Sequence, residues 1–178
     1  MNSDEQRYKR FLEGDIKGFE ELVFANKDPL IYFIYRYVCD LHMAEDLAQD
    51  VFVDIYVKKE SYKFEYRFKT YLYTIARNKA VDYIRKQKRM IPMELTEQLY
   101  EEEKEVSLLE TMIWKEQCEE LKQAMNSLKL DYQRLLFLID LQQLSYREAA
   151  KILGKTVPQV KVSLYRARKA LKERLHER

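Results

Sequence analysis

The sequence predicts an all-α protein made of two small helical domains joined by an acidic linker. Three observations carry this expectation. Glycine and proline number only three each in 178 residues, so turn formers are scarce. Leu, Lys, Glu, Gln and Arg, all good helix formers, are abundant. Apolar residues recur at helical spacing on both sides of one acidic stretch that lacks such a stripe.

The first domain is assigned to residues 1–89. From Tyr8 to about Arg89 the pattern is helical. "FEELVFANKDPLIYFIYRYVCD" reads as two helices with a break near Asp28-Pro29, because proline favours a first turn and disfavours a helix interior. "MAEDLAQDVFVDIYVKK" reads as one long amphipathic helix, and "ESYKFEYR" as a loop rich in rings and charges. "FKTYLYTIARNKAVDYIRKQKR" is a further helix, with Leu72, Ile75, Ala76, Val81 and Ile84 on roughly one face.

Composition then shifts. Residues 90–106 hold Pro92 and six glutamates between Glu94 and Glu105, and read as a linker. The second domain is assigned to residues 107–178, its helical stripe starting near Ser107. Within it, Ser145 and Glu148 form S-x-x-E, a capping box that opens a helix. "YREAAKIL" runs two turns and meets Gly154, suited to a left-handed helix end. Thr156 and Gln159 repeat the box as T-x-x-Q, and Pro158 sits in the first turn, where a missing N–H costs little. Helix, short glycine turn, helix is the grammar of a helix-turn-helix. Val157, Val160, Leu164, Ala167 and Leu171 make the apolar stripe of the second helix, leaving Gln159, Lys161, Val162, Tyr165, Arg166, Arg168 and Lys169 to face outward. A plain helical hairpin with a solvated basic face is the bland alternative; the concentration of basic residues on the second helix favours a DNA reader.

Charge does not argue for nucleic acid in bulk. Charged residues are 35 % of the chain, yet the formal net charge is +2, so only the distribution is informative. Two distant cysteines, Cys39 and Cys118, make no disulfide framework and fit a reducing cytosol. Cys39 and His42 resemble half a metal site, but no second pair at ligand spacing exists, so Cys39 reads as buried and inert. No apolar leader is present and no run approaches the roughly 18 residues of a membrane span, which points to a soluble cytoplasmic protein. No nucleophile–base pair, metal cluster or phosphate loop argues for catalysis, and no cofactor is expected.

Two stretches of the first domain carry chemistry. The helix from Phe68 holds Arg77, Lys79, Arg85, Lys86, Lys88 and Arg89 against one acid, Asp82. It follows Tyr62, Phe64, Tyr66 and Phe68 and contains Tyr71 and Tyr73. Bases interleaved with rings suit unpaired nucleic acid: exposed rings stack bases at roughly 1–3 kcal/mol each, while cations follow the backbone. Asn78 can bond a base edge through both its amide atoms. Core packing is the competing role for most of these tyrosines. Upstream, Asp46, Asp50 and Asp54 recur at i, i+4, i+8 with Gln49 beside them, while Leu47, Val51 and Ile55 face elsewhere. Like charges at i, i+4 weaken a helix, so the stripe is either a solvated face or the mate of a basic partner.

At this point the chain resembles the bacterial RNA polymerase sigma factors of the extracytoplasmic-function (ECF) group, over nearly its whole length and in order. "DLAQDVFVDIY" is similar to the polymerase-binding helix of region 2. "FKTYLYTIARNKAVDYIRKQKR" is similar to its promoter-melting and −10-reading helix. "LSYREAAKILGKTVPQVKVSLYRARKALK" is similar to the region 4 helix-turn-helix for the −35 element. The resemblance implies a factor that binds core RNA polymerase, at the β′ clamp and β flap, reads −35 duplex and traps melted −10 DNA. Asp46, Leu47, Gln49, Asp50 and Phe52 would engage the clamp. Asn78 would hold a flipped −10 base, with Tyr62, Lys63 and Phe64 completing its pocket. Tyr71, Arg77, Lys79, Arg85 and Arg89 would contact the strand or its phosphates. Val157, Pro158, Gln159, Lys161, Val162 and Arg166 would face the −35 element.

The resemblance also implies an anti-sigma factor as partner, able to hold the chain at the membrane, with no small-molecule substrate and no direct membrane insertion. The end at Arg178 suggests no extra C-terminal regulatory domain. Tyr71 stands where many members have tryptophan, and Thr156, Val157, Pro158 and Gln159 replace a common Ser-acid-Gly-Thr start, so promoter preference does not transfer from relatives. Two rivals remain at this level. A stand-alone helix-turn-helix regulator explains residues 144–171 and little else. A helical adaptor would bind acidic proteins through its basic faces.

Overall fold

Short polar residues open four of the described helices, and apolar stripes decide how they pack. The computed structural model describes residues 3–90 and 119–176. The chain divides into two compact units, Met1–Leu109 and Glu110–Arg178. Most of the predicted linker, residues 91–106, lies outside the described residues, as do the expected start of the second domain near Ser107 and Cys118.

The described part of the first unit contains α1 (Ser3–Leu12), α2 (Ile16–Val38), α3 (Leu41–Val57), a single 3-10 turn (Lys59–Ser61) and α4 (Phe68–Met90). Asp15 caps α2 by accepting the Lys17 N–H at 3.0 Å, and Asp40 caps α3 by accepting that of Met43 at 2.9 Å. Gly14, at φ 98°, turns the chain from α1 into α2. Gly18 lets the two helices close: a Cβ there would lie 2.5 Å from the Arg7 carbonyl oxygen. Helix α2 packs on α1, α3 and α4 and supplies much of the core, including Leu22, Leu30, Tyr32, Phe33 and Ile34.

Three expectations change here. The break at Asp28-Pro29 is absent, and α2 runs unbroken through Pro29. An interior proline costs about 3 kcal/mol. Both halves of α2 carry a buried face, however, and each large apolar side chain removed from water returns about 1.5–3 kcal/mol. With Leu22 buried before the proline and Leu30 to Ile34 after it, packing outweighs the lost backbone bond. Second, Cys39 is half-buried rather than buried; it ends α2 in the left-handed conformation at φ 55°. Third, the core face of α4 is Phe68, Leu72, Tyr73, Ala76 and Ala80, while Ile75, Val81 and Ile84 are only half-buried.

The second unit contains α5 (Glu119–Asn126), α6 (Leu130–Leu136), which widens into a π turn (Phe137–Leu141), α7 (Tyr146–Leu153) and α8 (Val157–His176). Helix α8 packs against α5, α6 and α7. Buried Gln133 closes the bend between α5 and α6, its amide donating to the carbonyls of Asn126 (3.1 Å) and Leu128 (2.7 Å). Phe137, Leu138, Ala149, Ile152, Val160, Leu164 and Ala167 form the core. Among the described residues there is no strand, and no helix is long and apolar enough to cross a membrane.

Candidate polymerase and nucleic-acid interfaces

The outer face of α3 is built by its period. Leu47, Val51 and Ile55 turn inward with Phe52, and Asp46, Gln49 and Asp50 are left in solvent. Of the five predicted clamp residues, three therefore lie on the surface; Leu47 and Phe52 lie beneath it, 9 % and 7 % exposed. Asp46 and Asp50 have no ion pair among the described residues. Asp54, the last of the stripe, is taken: Lys79 Nζ lies 2.8 Å away and Lys58 Nζ 3.6 Å. The hydrogen bond from Lys79 holds the Asp54 carboxyl below the usual carboxylate range. Sequence reasoning missed Val53, Tyr56 and Val57, which extend the same face as exposed apolar residues. Their signal was apolar side chains lying off the core stripe.

A cluster of rings supports the loop before α4. Tyr62 is buried at its centre, its centroid 5.0 Å from Tyr8, 4.6 Å from Phe64 and 5.2 Å from Tyr71, on which it stacks. Its hydroxyl donates to the Tyr66 carbonyl at 2.6 Å. Burial pushes the Tyr62 phenol well above its ordinary value, and burial also raises that of half-buried Tyr71. Tyr73 and Phe68, two of the candidate stacking rings, are fully buried in the core. The rings in solvent are Phe64 and Tyr66, with Lys63 beside them. Phe64 has φ 57°, an outlier for a bulky residue, and ring packing holds it there.

Along α4, Tyr71, Asn78 and Arg85 recur every seven residues and share one face, about 10 Å apart per step at 1.5 Å rise per residue. Asn78 and Arg85 are exposed, and Arg77 donates to the Asn78 side-chain oxygen at 3.4 Å. Lys86, Lys88 and Arg89 are exposed near the end of the helix. Arg85 makes a loose exposed pair with Asp82 at 3.7 Å. Lys79 is committed to Asp54, so its charge is offset before any strand arrives.

In the second unit both capping boxes form. Ser145 and Glu148 exchange bonds between side chain and backbone. The Thr156 N–H donates to Gln159 Oε1 at 2.8 Å, and the Gln159 N–H to Thr156 Oγ1 at 3.4 Å. Gly154 ends α7 at φ 63°, ψ 36°. Pro158, Gln159, Lys161, Val162 and Arg166 are exposed on α8, and Val157 is half-buried. The cap occupies the side-chain oxygen of exposed Gln159. Sequence reasoning missed a groove of ≈ 610 Å³ on the flank of α8, lined by Tyr146, Lys161, Leu164, Tyr165, Arg168, Lys169 and Lys172. Asp140 of the π turn holds Arg168 there through two guanidinium nitrogens, raising its pKa above the ordinary value. Among the described residues no group of three His, Cys, Asp or Glu could hold a metal.

Two family models match the chain in the order of these surfaces. Residues 22–90 match sigma-70 region 2 and residues 118–171 match sigma-70 region 4. The chain is 29% identical to the ECF RNA polymerase sigma factor SigW of Bacillus subtilis (strain 168), over 97% of this chain and 96% of that protein. It is 32% identical to the ECF RNA polymerase sigma factor SigM of the same organism, over 78% of this chain and 86% of that protein. Its fold is similar to that of the sigma factor RpoE of Bartonella quintana, solved in complex with the anti-sigma factor NepR. The TM-score there is 0.63 at 24% identity, covering 89% of this chain and 97% of the solved one.

Proposed function

We propose a division of labour among the surfaces of this chain, which belongs to the extracytoplasmic-function (ECF) group of RNA polymerase sigma factors. It is a factor for promoter-directed transcription initiation and binds core RNA polymerase and promoter DNA. Its relatives are sigma factors, not catalytic enzymes.

The proposed assignment is by unit. Residues 1–89 act as region 2, 90–106 as the linker and 107–178 as region 4. On α3, Asp46, Gln49 and Asp50 meet the basic side of the polymerase β′ clamp, and the apolar run Val53, Tyr56, Val57 extends that contact. Leu47 and Phe52 shape this face from below. On α4, Asn78 takes a base flipped from the −10 element, with Lys63 and Phe64 closing the pocket and Tyr62 supporting it. Tyr71 contributes its half-exposed ring. Arg77, Arg85 and Arg89 follow the phosphates, and Lys79 orients α4 through Asp54. Extruding a base costs a few kcal/mol of stacking and pairing. Stacking on exposed rings at roughly 1–3 kcal/mol each offsets that cost.

On α8, Pro158, Gln159, Lys161, Val162 and Arg166 enter the −35 groove, and Val157 seats the start of the helix. The flank lined by Tyr165, Lys169 and Lys172 lies on phosphates, and the β flap of polymerase holds region 4 at that element. RNA synthesis itself remains with polymerase. A cytoplasmic location and control by an anti-sigma factor complete the proposal; the likeness to a factor crystallised with NepR supports the latter as a fold-level analogy.

The observation that carries this reading is the aromatic-basic face of α4 beside an exposed acidic face on α3, in a chain that also holds a helix-turn-helix. A stand-alone regulator leaves the first two without a role. The test is co-elution with core RNA polymerase at moderate salt, without DNA. A one-to-one complex that initiates at defined promoters supports the proposal. Elution of the chain alone, with duplex binding as a dimer, sinks it.

A further inference from the structure

Helix α1 reaches the two ends of the loop between α3 and α4. The Tyr8 hydroxyl donates to the Lys59 carbonyl at 2.8 Å, where the loop begins. Glu5 Oε1 accepts the Phe68 N–H at 2.7 Å, where the loop becomes α4. The two side chains are three residues apart, so they share one face of α1. Tyr8 is fully buried and Glu5 is 7 % exposed. Between these ties the Tyr8 ring packs on Tyr62 at 5.0 Å, Phe64 at 6.0 Å and Phe68 at 5.4 Å. Phe64 keeps a left-handed backbone at φ 57°, a conformation that persists only where the surroundings hold it. The region 2 match begins at residue 22, after α1 ends, so it assigns α1 no part in reading DNA.

We propose that α1 is the template for this loop, with Tyr8 and Glu5 as positioning residues that set which bases the Lys63–Phe64 pocket accepts. The inference rests on the reading of that loop as the −10 pocket. Two neighbouring side chains fix the ends of the loop 51 and 63 residues away in sequence. The exposed Phe64 ring is thereby held in one place before DNA arrives, and a preorganised pocket selects bases more sharply than a mobile one. Glu5 also satisfies a first-turn N–H of α4 that its own helix cannot satisfy. Its second oxygen is buried without a hydrogen-bond partner, so Phe68 is the one hydrogen bond holding this carboxylate among the described residues.

The experiment uses the full chain bound to core RNA polymerase and a pool of forked DNA whose single-stranded −10 segment is randomised. Base preference is read by sequencing the bound fraction. Polymerase affinity and the thermal midpoint are measured alongside. Tyr8→Phe removes only the hydroxyl, Glu5→Leu removes the acceptor, and Glu5→Gln keeps an acceptor oxygen. Tyr8→Phe and Glu5→Leu should flatten the preference by about tenfold, the scale of one buried polar group left unpaired, with polymerase affinity unchanged. Glu5→Gln should retain it within about twofold, as its amide oxygen accepts the same N–H. Should Glu5→Leu fail to fold, Tyr8→Phe decides. Unchanged preference in Tyr8→Phe overturns the proposal, as does a loss that tracks polymerase affinity and is not rescued by Glu5→Gln. If the wild-type complex enriches no sequence while still binding polymerase, the pocket reading itself falls, and this inference with it.

Discussion

Asn78→Ala separates promoter opening from every other property of the chain. Asn78 is exposed on α4, and its recorded hydrogen bond is the weak 3.4 Å donation from Arg77. An exposed substitution of this kind changes folding stability by about 0.5 kcal/mol or less. The acidic face used for polymerase lies on α3, so affinity for core enzyme should hold. The lost base contact is a different matter. A bidentate amide contact is worth about 1–3 kcal/mol, which is roughly 5- to 150-fold in an equilibrium constant. Open-complex formation, followed by permanganate reactivity of unpaired thymines, should fall by that factor. Polymerase co-elution and the thermal midpoint should not move. Equal losses of opening and of polymerase affinity would refute the base-pocket role, and so would full opening.

Three further outcomes follow from the geometry. Asp50→Lys reverses an exposed charge that has no ion pair among the described residues; titration against core polymerase should show at least about tenfold weaker binding with the stability change within about 0.5 kcal/mol. The Asp54 carboxyl titrates below its unfolded value because of Lys79, so its stabilisation is complete above about pH 4 and is lost as pH falls through the lowered folded value. Asp54→Asn should accordingly cost about 0.2–1 kcal/mol at neutral pH, the scale of a partly exposed pair, with the difference shrinking in acid denaturation below that point. Gly18→Ala places a methyl 2.5 Å from the Arg7 carbonyl oxygen, so α1 and α2 must part, at about 1–3 kcal/mol in urea unfolding.

Some of this molecule was legible because it rests on near neighbours in the chain. Both capping boxes, the left-handed Gly154 and the stripe Val160, Leu164, Ala167 involve residues a few positions apart, and each forms as the spacing implies. The acidic face of α3 was legible for the same reason, since Asp46 and Asp50 lie about one turn apart on one face while Leu47 and Val51 lie one turn apart on the next. The loop rings were not. Nothing local distinguishes Tyr62 and Tyr73, which are buried, from Phe64 and Tyr66, which are exposed.

Local patterning carried the helical class, the two-part order, the helix-turn-helix and the family. These rest on periodicity, caps and motifs, which act over a few residues or survive as patterns. The tertiary structure alone decided that α2 runs through Pro29, since burial on both sides outweighs the missing backbone bond. It also decided that Lys79 faces Asp54 and that α1 ties both ends of the loop before α4. Those contacts join groups 25 to 63 residues apart in sequence, and only the packing of whole helices sets which of them meet.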